Sequence, residues 1–594
     1  MLLAMAMAMT GAAAAEEPAD KHQWLENVTD EKALAWVRRL NDESVAELAS
    51  SDEFKRVEGG ILAALDSDEK IPYVDKIGAH YYNLWKDKQH ARGLWRRTTI
   101  EEFRKPDPKW ETVLDLDALG KSENENWVWH GANCLRPDYT RCMLALSRGG
   151  ADADVVREFD LKSKSFVDGG FSIPESKNNV SWLDRDTLFV GTDFGPGSMT
   201  SSGYPRVAKK WSRGTKLADA PTVFEGKPDD VAAIVIHDKS PGHERTIYYR
   251  AVTFFTNDVS ILVDGEPVHL DKPASAEAST HMQWLFLTLR EDWTVGEKTY
   301  KAGSLLVAKV ADYLAGKREL DVLFEPTDRT SLAGYTPTKS HVVLNVLDNV
   351  KNRLYVLTPG DKGWAREPLP GVPALGNISA SAVDSDESDD YWLTITDFLT
   401  PTRLALGTIG KGPAETLKQL PAFFDATGLA VAQHEATSKD GTKIPYFEVA
   451  RADLKLDGRN PTILYGYGGF EVSELPVYSA GRGLGWLEKG GVFVVANIRG
   501  GGEFGPRWHQ AALKANRHKA YEDFAAVAED LVRRKVTSRE HLGAVGGSNG
   551  GLLIGNMLTR YPHLFGALVV QVPLLDMRRY TKLLAGASWM GEYG

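Results

Sequence analysis

Cysteine is nearly missing from this chain: there are two in 594 residues, Cys134 and Cys142. That excludes a disulfide framework, although a pair eight apart can bridge a tight hairpin if the strand register brings the two together. Long apolar runs are missing too. Past the first residues, nothing approaches the roughly 20 residues that a membrane span needs, so no membrane partner is expected. Positive charge is sparse, with 70 Lys and Arg against 81 Asp and Glu and a net charge of −11. This balance speaks against binding to a nucleic-acid backbone, which needs a basic stripe. The densest basic stretch, "RVAKKWSR", carries Arg206, Lys209, Lys210 and Arg213 around Trp211 and reads as a solvated loop or strand edge. Histidine–acid neighbours such as His434-Glu435 lack a further histidine at zinc-binding spacing. No metal and no other cofactor is expected.

The chain does have material for large cores, since 43% of its residues are hydrophobic and 10% aromatic. Its length implies several domains, or a large barrel or propeller joined to something else. It opens with "MLLAMAMAMTGAAAAEEPAD", an apolar core followed by small residues, as in a secretory signal. Ala13-Ala14-Ala15 suits cleavage before Glu16, while the positive leading region of a signal is missing. A periplasmic or secreted protein is expected, and a cytoplasmic one if residues 1–15 are not a signal.

From Thr29 to about Leu48 the spacing predicts a helix, with Thr29 as cap and Leu34, Val37, Val45 and Leu48 on one stripe. A second short helix is predicted over Phe54 to Leu65. At Ile71 the character changes. As far as about Gly410 the chain is a succession of short β-like runs with turn residues between them, such as "RTIYYRAVTFF", "MQWLFLTLR" and "HVVLNVLDNVKNRLYVLT". Period-two alternation and aromatic enrichment predict antiparallel sheet. So many hairpins exceed one sandwich. Weak similarity between "WLDRDTLFVGTD" and "NVKNRLYVLTPG" fits a radial array, in which seven blades of about 48 residues would fill the length. Beyond about residue 415, continuous apolar strands ("TILYGYGG", "GVFVVANIRG", "HLGAVGG", "ALVVQVPL") alternate with helical stretches such as Tyr521 to Arg534. That pattern predicts a mostly parallel sheet covered on both faces. The expected division is 1–15, 16–70 helical, 71–412 propeller and 413–594 an α/β domain.

Within the last part, Gly546-Gly547-Ser548-Asn549-Gly550 satisfies the G-x-S-x-G pattern between an apolar strand and a helix-forming stretch. A sharp turn there would hold Ser548 at strained angles at a helix N-terminus, where peptide dipoles and free N–H groups favour negative charge. Side chains at 546 or 550 would collide with the neighbouring strand and helix. Gly466-Tyr467-Gly468-Gly469-Phe470 ends an earlier strand and allows a loop to pass close to the serine. Asn497 to Gly505 ends another strand with glycines, but no Lys-Ser/Thr follows, so nucleotide binding is not expected.

These residues carry a resemblance. "YGYGGF" (465–470), "ANIRGGGEFG" (496–505) with Trp508-His509, "GGSNGGLL" (546–553), "PHLFGALVVQVPLLDM" (562–577) and "ASWMGEYG" (587–594) are similar to the prolyl oligopeptidase family, in its bacterial branch. "WLENV" (24–28) and "DGTKIPYF" (440–447) extend the likeness over essentially the whole chain. The resemblance implies a seven-bladed β-propeller over the mouth of an α/β-hydrolase domain, with the N-terminal helices packed on the latter. It implies that Ser548 is the acyl-forming nucleophile and that the backbone N–H of Asn549 and the phenol of Tyr467 hold the oxyanion. It further implies that a substrate proline stacks on Trp589 in a pocket lined by Phe470, Leu574 and Tyr593. Aromatic walls suit a flat apolar ring. The expected partners are short proline-containing peptides, cleaved on the C-terminal side of proline by a monomer.

The sequence departs from the family in one respect. The family's order is serine, aspartate, histidine, yet after Ser548 only Asp576 and His563 occur, and neither matches the triad positions. The arginine with which members grip substrate is likewise expected beyond residue 594. Without a histidine base, a serine is a poor nucleophile near neutral pH. The expectation is therefore a C-terminally truncated copy with an unpaired sheet edge, inactive as it stands. The rival readings are an aminopeptidase-like or oligopeptidase B-like relative with another preference, a non-catalytic propeller binding protein, and a lipase or esterase. The intact serine, Tyr467 and pocket aromatics count against decay, and the propeller counts against a lipase.

Overall fold

The computed structural model of the chain describes residues 20–594, so the stretch read as a signal lies outside the described residues. Residues 20–65 belong to a compact unit of their own. Its described part holds helices Glu31–Leu48 and Asp52–Leu65 behind a short turn, Gln23–Glu26. The first helix is capped by Asp30, whose carboxylate accepts from the N–H groups of Lys32 at 2.9 Å and Ala33 at 3.3 Å. The expected cap, Thr29, instead turns its hydroxyl to Asn27 at 3.2 Å. A carboxylate is the stronger partner for the positive end of a helix. Among the described residues no helix is long and apolar enough to cross a membrane.

Residues 66–594 form the second unit. It begins with seven antiparallel sheets in chain order, over 75–115, 127–176, 179–225, 232–269, 277–324, 330–368 and 377–419. Each is an up-and-down blade, the second with a fifth strand and the fifth with an inserted hairpin, Trp293–Tyr300. The blades hold together through the clusters of buried side chains between them. Tyr82 and Trp95 of the first blade meet Leu144 and Phe159 of the second. Comparable clusters join each following pair. A further cluster unites Tyr81 of the first blade with Trp392 and Leu404 of the last, closing the ring. Inner strands are covered on both faces, which is why runs such as Val342–Asp348 stay apolar at successive positions. Cys134 and Cys142 stand opposite each other in the second blade and are joined by a disulfide.

The propeller ends later than residue 412. Glu415–Gln419 is the outer strand of the seventh blade, paired with Arg403–Thr408. An outer strand has one neighbour and exposed faces, so it lacks the apolar alternation that marks the others.

A six-stranded sheet follows, in the order Leu429–Thr437, Lys443–Arg451, Val492–Ala496, Thr462–Gly466, Leu542–Gly547, Ala567–Gln571. The first two strands are antiparallel to each other and to their neighbour, and the last four run parallel. One face is covered by the helix His518–Arg533, which sinks Phe524, Val527 and Leu531 into a core with Leu464, Val494 and Ala544. The other face meets Phe424, Tyr478 and Leu487. Among the described residues the outermost strand, Ala567–Gln571, pairs only with Leu542–Gly547, and Val569 on it is exposed.

Candidate active site

Strand Leu542–Gly547 runs into Ser548, and helix Asn549–Arg560 begins at the next residue. Ser548 is exposed and held at φ 57°, ψ −118°, a strained conformation for a residue with a side chain. The flanking glycines make the turn sterically feasible. A Cβ on Gly546 would lie 2.4 Å from the Gly550 carbonyl oxygen, and one on Gly550 would lie 2.9 Å from that of Gly466. The N–H of Ser548 donates to the Gln571 carbonyl at 3.0 Å. The N–H of Asn549 belongs to the first turn of the helix, where no intrahelical acceptor exists.

The Gly466–Phe470 loop lies beside this turn. The Tyr467 phenol is half-buried and interacts with the Ser548 side chain. Burial raises its pKa, and the Ser548 interaction opposes that in part. The Asn549 side chain is fully buried, and its amide donates to the Tyr467 carbonyl at 2.7 Å. Only glycine fits at 469, because a Cβ there would stand 2.4 Å from the Asn549 amide nitrogen. Tyr593 donates its hydroxyl to the Asn549 amide oxygen at 2.9 Å, and burial pushes the phenol's pKa well up. The ring of Tyr593 meets Phe470 edge-on at 5.7 Å.

Five of the seven expected residues, Ser548, Asn549, Tyr467, Phe470 and Tyr593, are therefore in one cluster. Trp589, half-buried at the end of the turn Gly586–Trp589, makes no aromatic pair among the described residues, and Leu574 is half-buried beyond the outer strand. Asp576 is held by Arg579 at 2.6 Å, and its carboxyl is kept below the usual range by that partner. His563 is exposed beside Tyr561.

The structure adds residues that the sequence reading did not assign. Glu592 is fully buried and accepts from Arg517 at 2.7 Å and from the N–H of Phe470 at 3.1 Å. It also lies 2.7 Å from Nε2 of His509. Nδ1 of His509 faces the Arg290 guanidinium, from the propeller, at 2.9 Å. A guanidinium only donates, so Nδ1 is the acceptor and Nε2 carries the hydrogen toward Glu592. His509 is thus neutral with both ring nitrogens engaged, and burial lowers its pKa. Phe254 of the propeller meets Phe470 at 5.1 Å, and Phe255 meets His509 at 4.8 Å. These links join positions far apart in sequence, and no local pattern announces them.

The Asn497–Gly505 loop is held by Arg499, whose buried guanidinium binds Asp523 at 2.6 Å and Asp440 at 2.5 Å. Glu503 is buried below it, and burial pushes its pKa up to about 8. Ser331 of the sixth blade donates to the Glu503 carbonyl at 2.8 Å. A cavity of about 530 Å³ opens between this loop and the propeller, lined by Lys301, Glu325, Phe504 and Trp508 among others. Ser548 is not among its lining residues.

A ring of seven blades, joined to a mixed sheet that presents a strained, exposed serine at a helix N-terminus, defines a propeller-bearing α/β-hydrolase. Comparison with known proteins narrows this class. Residues 479–594 match the profile of the prolyl oligopeptidase family, and residues 9–418 match that of the prolyl oligopeptidase N-terminal beta-propeller domain. The chain is 42% identical over 593 residues to an uncharacterized peptidase of Sinorhizobium fredii, covering 98% of this chain and 81% of that one. It is 38% identical to a prolyl endopeptidase of Elizabethkingia miricola, covering 97% and 79%. The solved structure of a post-proline cleaving enzyme from Rickettsia typhi superposes with a TM-score of 0.91 at 32% identity, covering 96% and 85%. This chain belongs to the prolyl oligopeptidase family of serine peptidases.

Proposed function

We propose that the protein is a serine endopeptidase that cleaves short peptides after proline through an acyl-enzyme on Ser548. The observation that carries this reading is the geometry at Ser548: a strained, exposed hydroxyl between the Tyr467 phenol and the first turn of a helix. In this reaction Ser548 Oγ attacks the peptide carbonyl. Negative charge develops on the carbonyl oxygen, and the N–H of Asn549 and the phenol of Tyr467 stabilise it. Collapse expels the amine and leaves an ester on Ser548, which water then hydrolyses. A phenol kept protonated by burial is suited to the donor role. Phe470 and Tyr593, with Trp589 and Leu574 as further lining, form the apolar slot for the proline ring. The names of the Rickettsia typhi and Elizabethkingia miricola proteins support the choice of proline.

The proton of Ser548 needs a base. His509 has both nitrogens engaged and His563 is exposed beside Tyr561. The reading therefore assigns that proton to a histidine other than these two, oriented by an aspartate. Export to the periplasm and action as a monomer complete the proposal. A fluorophosphonate probe applied to the full-length protein tests it. Ser548 should be the labelled residue, and Ser548→Ala should abolish both labelling and cleavage of a Gly-Pro reporter. Labelling that persists in that variant refutes the assignment, and faster cleavage of an arginine reporter refutes the proline preference.

A further inference from the structure

Glu592 has two holds on the loop that carries Tyr467. One is direct: its carboxylate accepts from the Phe470 N–H at 3.1 Å. The other runs through Arg517, which binds Glu592 at 2.7 Å and donates from its other nitrogen to the Asn549 side-chain oxygen. The same Asn549 amide then donates to the Tyr467 carbonyl at 2.7 Å. The loop is thus gripped at both ends, and its far end is strained, with Phe470 at φ 54° and Glu471 at φ 60°. Strain of this kind persists only where the surroundings over-determine it.

The ion pair is an expensive way to gain stability. The Glu592 side chain is fully buried and that of Arg517 is 9% exposed, and the cost of taking two charges out of water offsets most of their attraction. What the pair supplies instead is geometry. A guanidinium offers donors in a rigid fork, and here the fork spans Glu592 and Asn549. Asn549 is also the residue whose N–H heads the helix beside Ser548.

We propose that Arg517 and Glu592 are positioning residues, which hold the Tyr467–Phe470 loop and Asn549 in register so that both oxyanion donors face one point above Ser548. The proposal rests on the acyl-enzyme reading of Ser548. Neither residue touches the reacting atoms, and both act through Asn549 and the loop. The pair is also faced by neutral His509, which meets Arg290 of the propeller and lies 3.7 Å from Glu471 at the end of the loop; Arg290 and Glu471 are ion-paired.

The test uses the full-length protein with two variants. Arg517→Met/Glu592→Met replaces the pair by apolar side chains of similar volume, a change that buried ion pairs often tolerate without loss of stability. Arg517→Lys keeps the charge. Thermal unfolding confirms that each variant is folded, while kcat and KM on a Gly-Pro reporter and hydrogen exchange of the Phe470 amide are read in parallel. In the double variant, kcat should fall about 10²-fold with KM little changed, the scale for a small misplacement of reacting groups. The Phe470 amide should exchange faster, and Arg517→Lys should recover part of kcat. An unchanged kcat in the folded double variant, or a Phe470 amide as protected as in the parent, overturns the inference. If the parent is not labelled at Ser548, the acyl-enzyme reading fails by itself, and the exchange measurement still decides whether the pair holds the loop.

Discussion

Glu503 offers a perturbation whose size follows from the structure and needs no catalytic activity. Its side chain lies under the glycine loop, where one carboxyl oxygen accepts from the Glu474 N–H at 2.9 Å and from the Asn497 amide at 3.2 Å. Among the described residues no ion pair compensates it, and Glu474, itself pushed up by burial, adds like charge. Burial raises the pKa of Glu503 from its ordinary 4.5 to about 8, so the acid is protonated in the fold at neutral pH. In the unfolded chain it is ionised above that ordinary value. Between those two values the folded state holds a proton that the unfolded state has lost, so stability falls as pH rises through the window. The contribution is fully present below the unfolded pKa and gone above the folded one. A gap of about 3.5 units at about 1.4 kcal/mol per unit sets an upper bound of about 5 kcal/mol. Glu503→Gln keeps the accepting oxygen and removes the ionisation. Urea unfolding of parent and variant at pH 5, 6, 7 and 8 measures the difference, in which all other titrating groups cancel. The variant should gain on the parent steadily, by at least about 2 kcal/mol from pH 5 to pH 8. Parallel stability curves for the two proteins would refute the claim that Glu503 is a buried neutral acid.

Two further outcomes follow from the proposed reaction. Tyr467→Phe removes a phenol and leaves its ring, so in the full-length enzyme kcat should fall by roughly 10² or more with the fold retained. A change confined to KM would mean that Tyr467 only shapes the pocket. Trp589→Ala should lower kcat/KM for a Gly-Pro reporter by roughly tenfold or more, the kinetic equivalent of losing about 1.5–3 kcal/mol of ring burial, and should affect an alanine reporter much less. Equal losses on the two reporters would assign Trp589 to the fold and not to the reading of proline.

The sequence alone determined what depends on neighbours in the chain. The turn at Ser548 was legible because its requirements are local: glycines two residues to either side, an apolar strand before and a helix former after. The succession of hairpins was legible for the same reason, since strand alternation and turn residues are written at short range. Tertiary structure decided the rest. The ring closes because Tyr81 and Trp392, more than three hundred residues apart, share one buried cluster, and no periodicity marks such a contact. The outer strand Glu415–Gln419 escaped because half-exposed strands carry little apolar signal. Of the residues expected to line the pocket, Phe470 and Tyr593 meet, and Phe254 of the propeller also meets Phe470. Glu592 reads in sequence as an ordinary charge near a glycine. Its partners, Arg517 and His509 from one stretch and the Phe470 amide from another, come together only in the fold, and packing them around a fully buried carboxylate makes it a structural anchor. A buried charge is set by what surrounds it in space, and that is the part of the site a linear chain does not display.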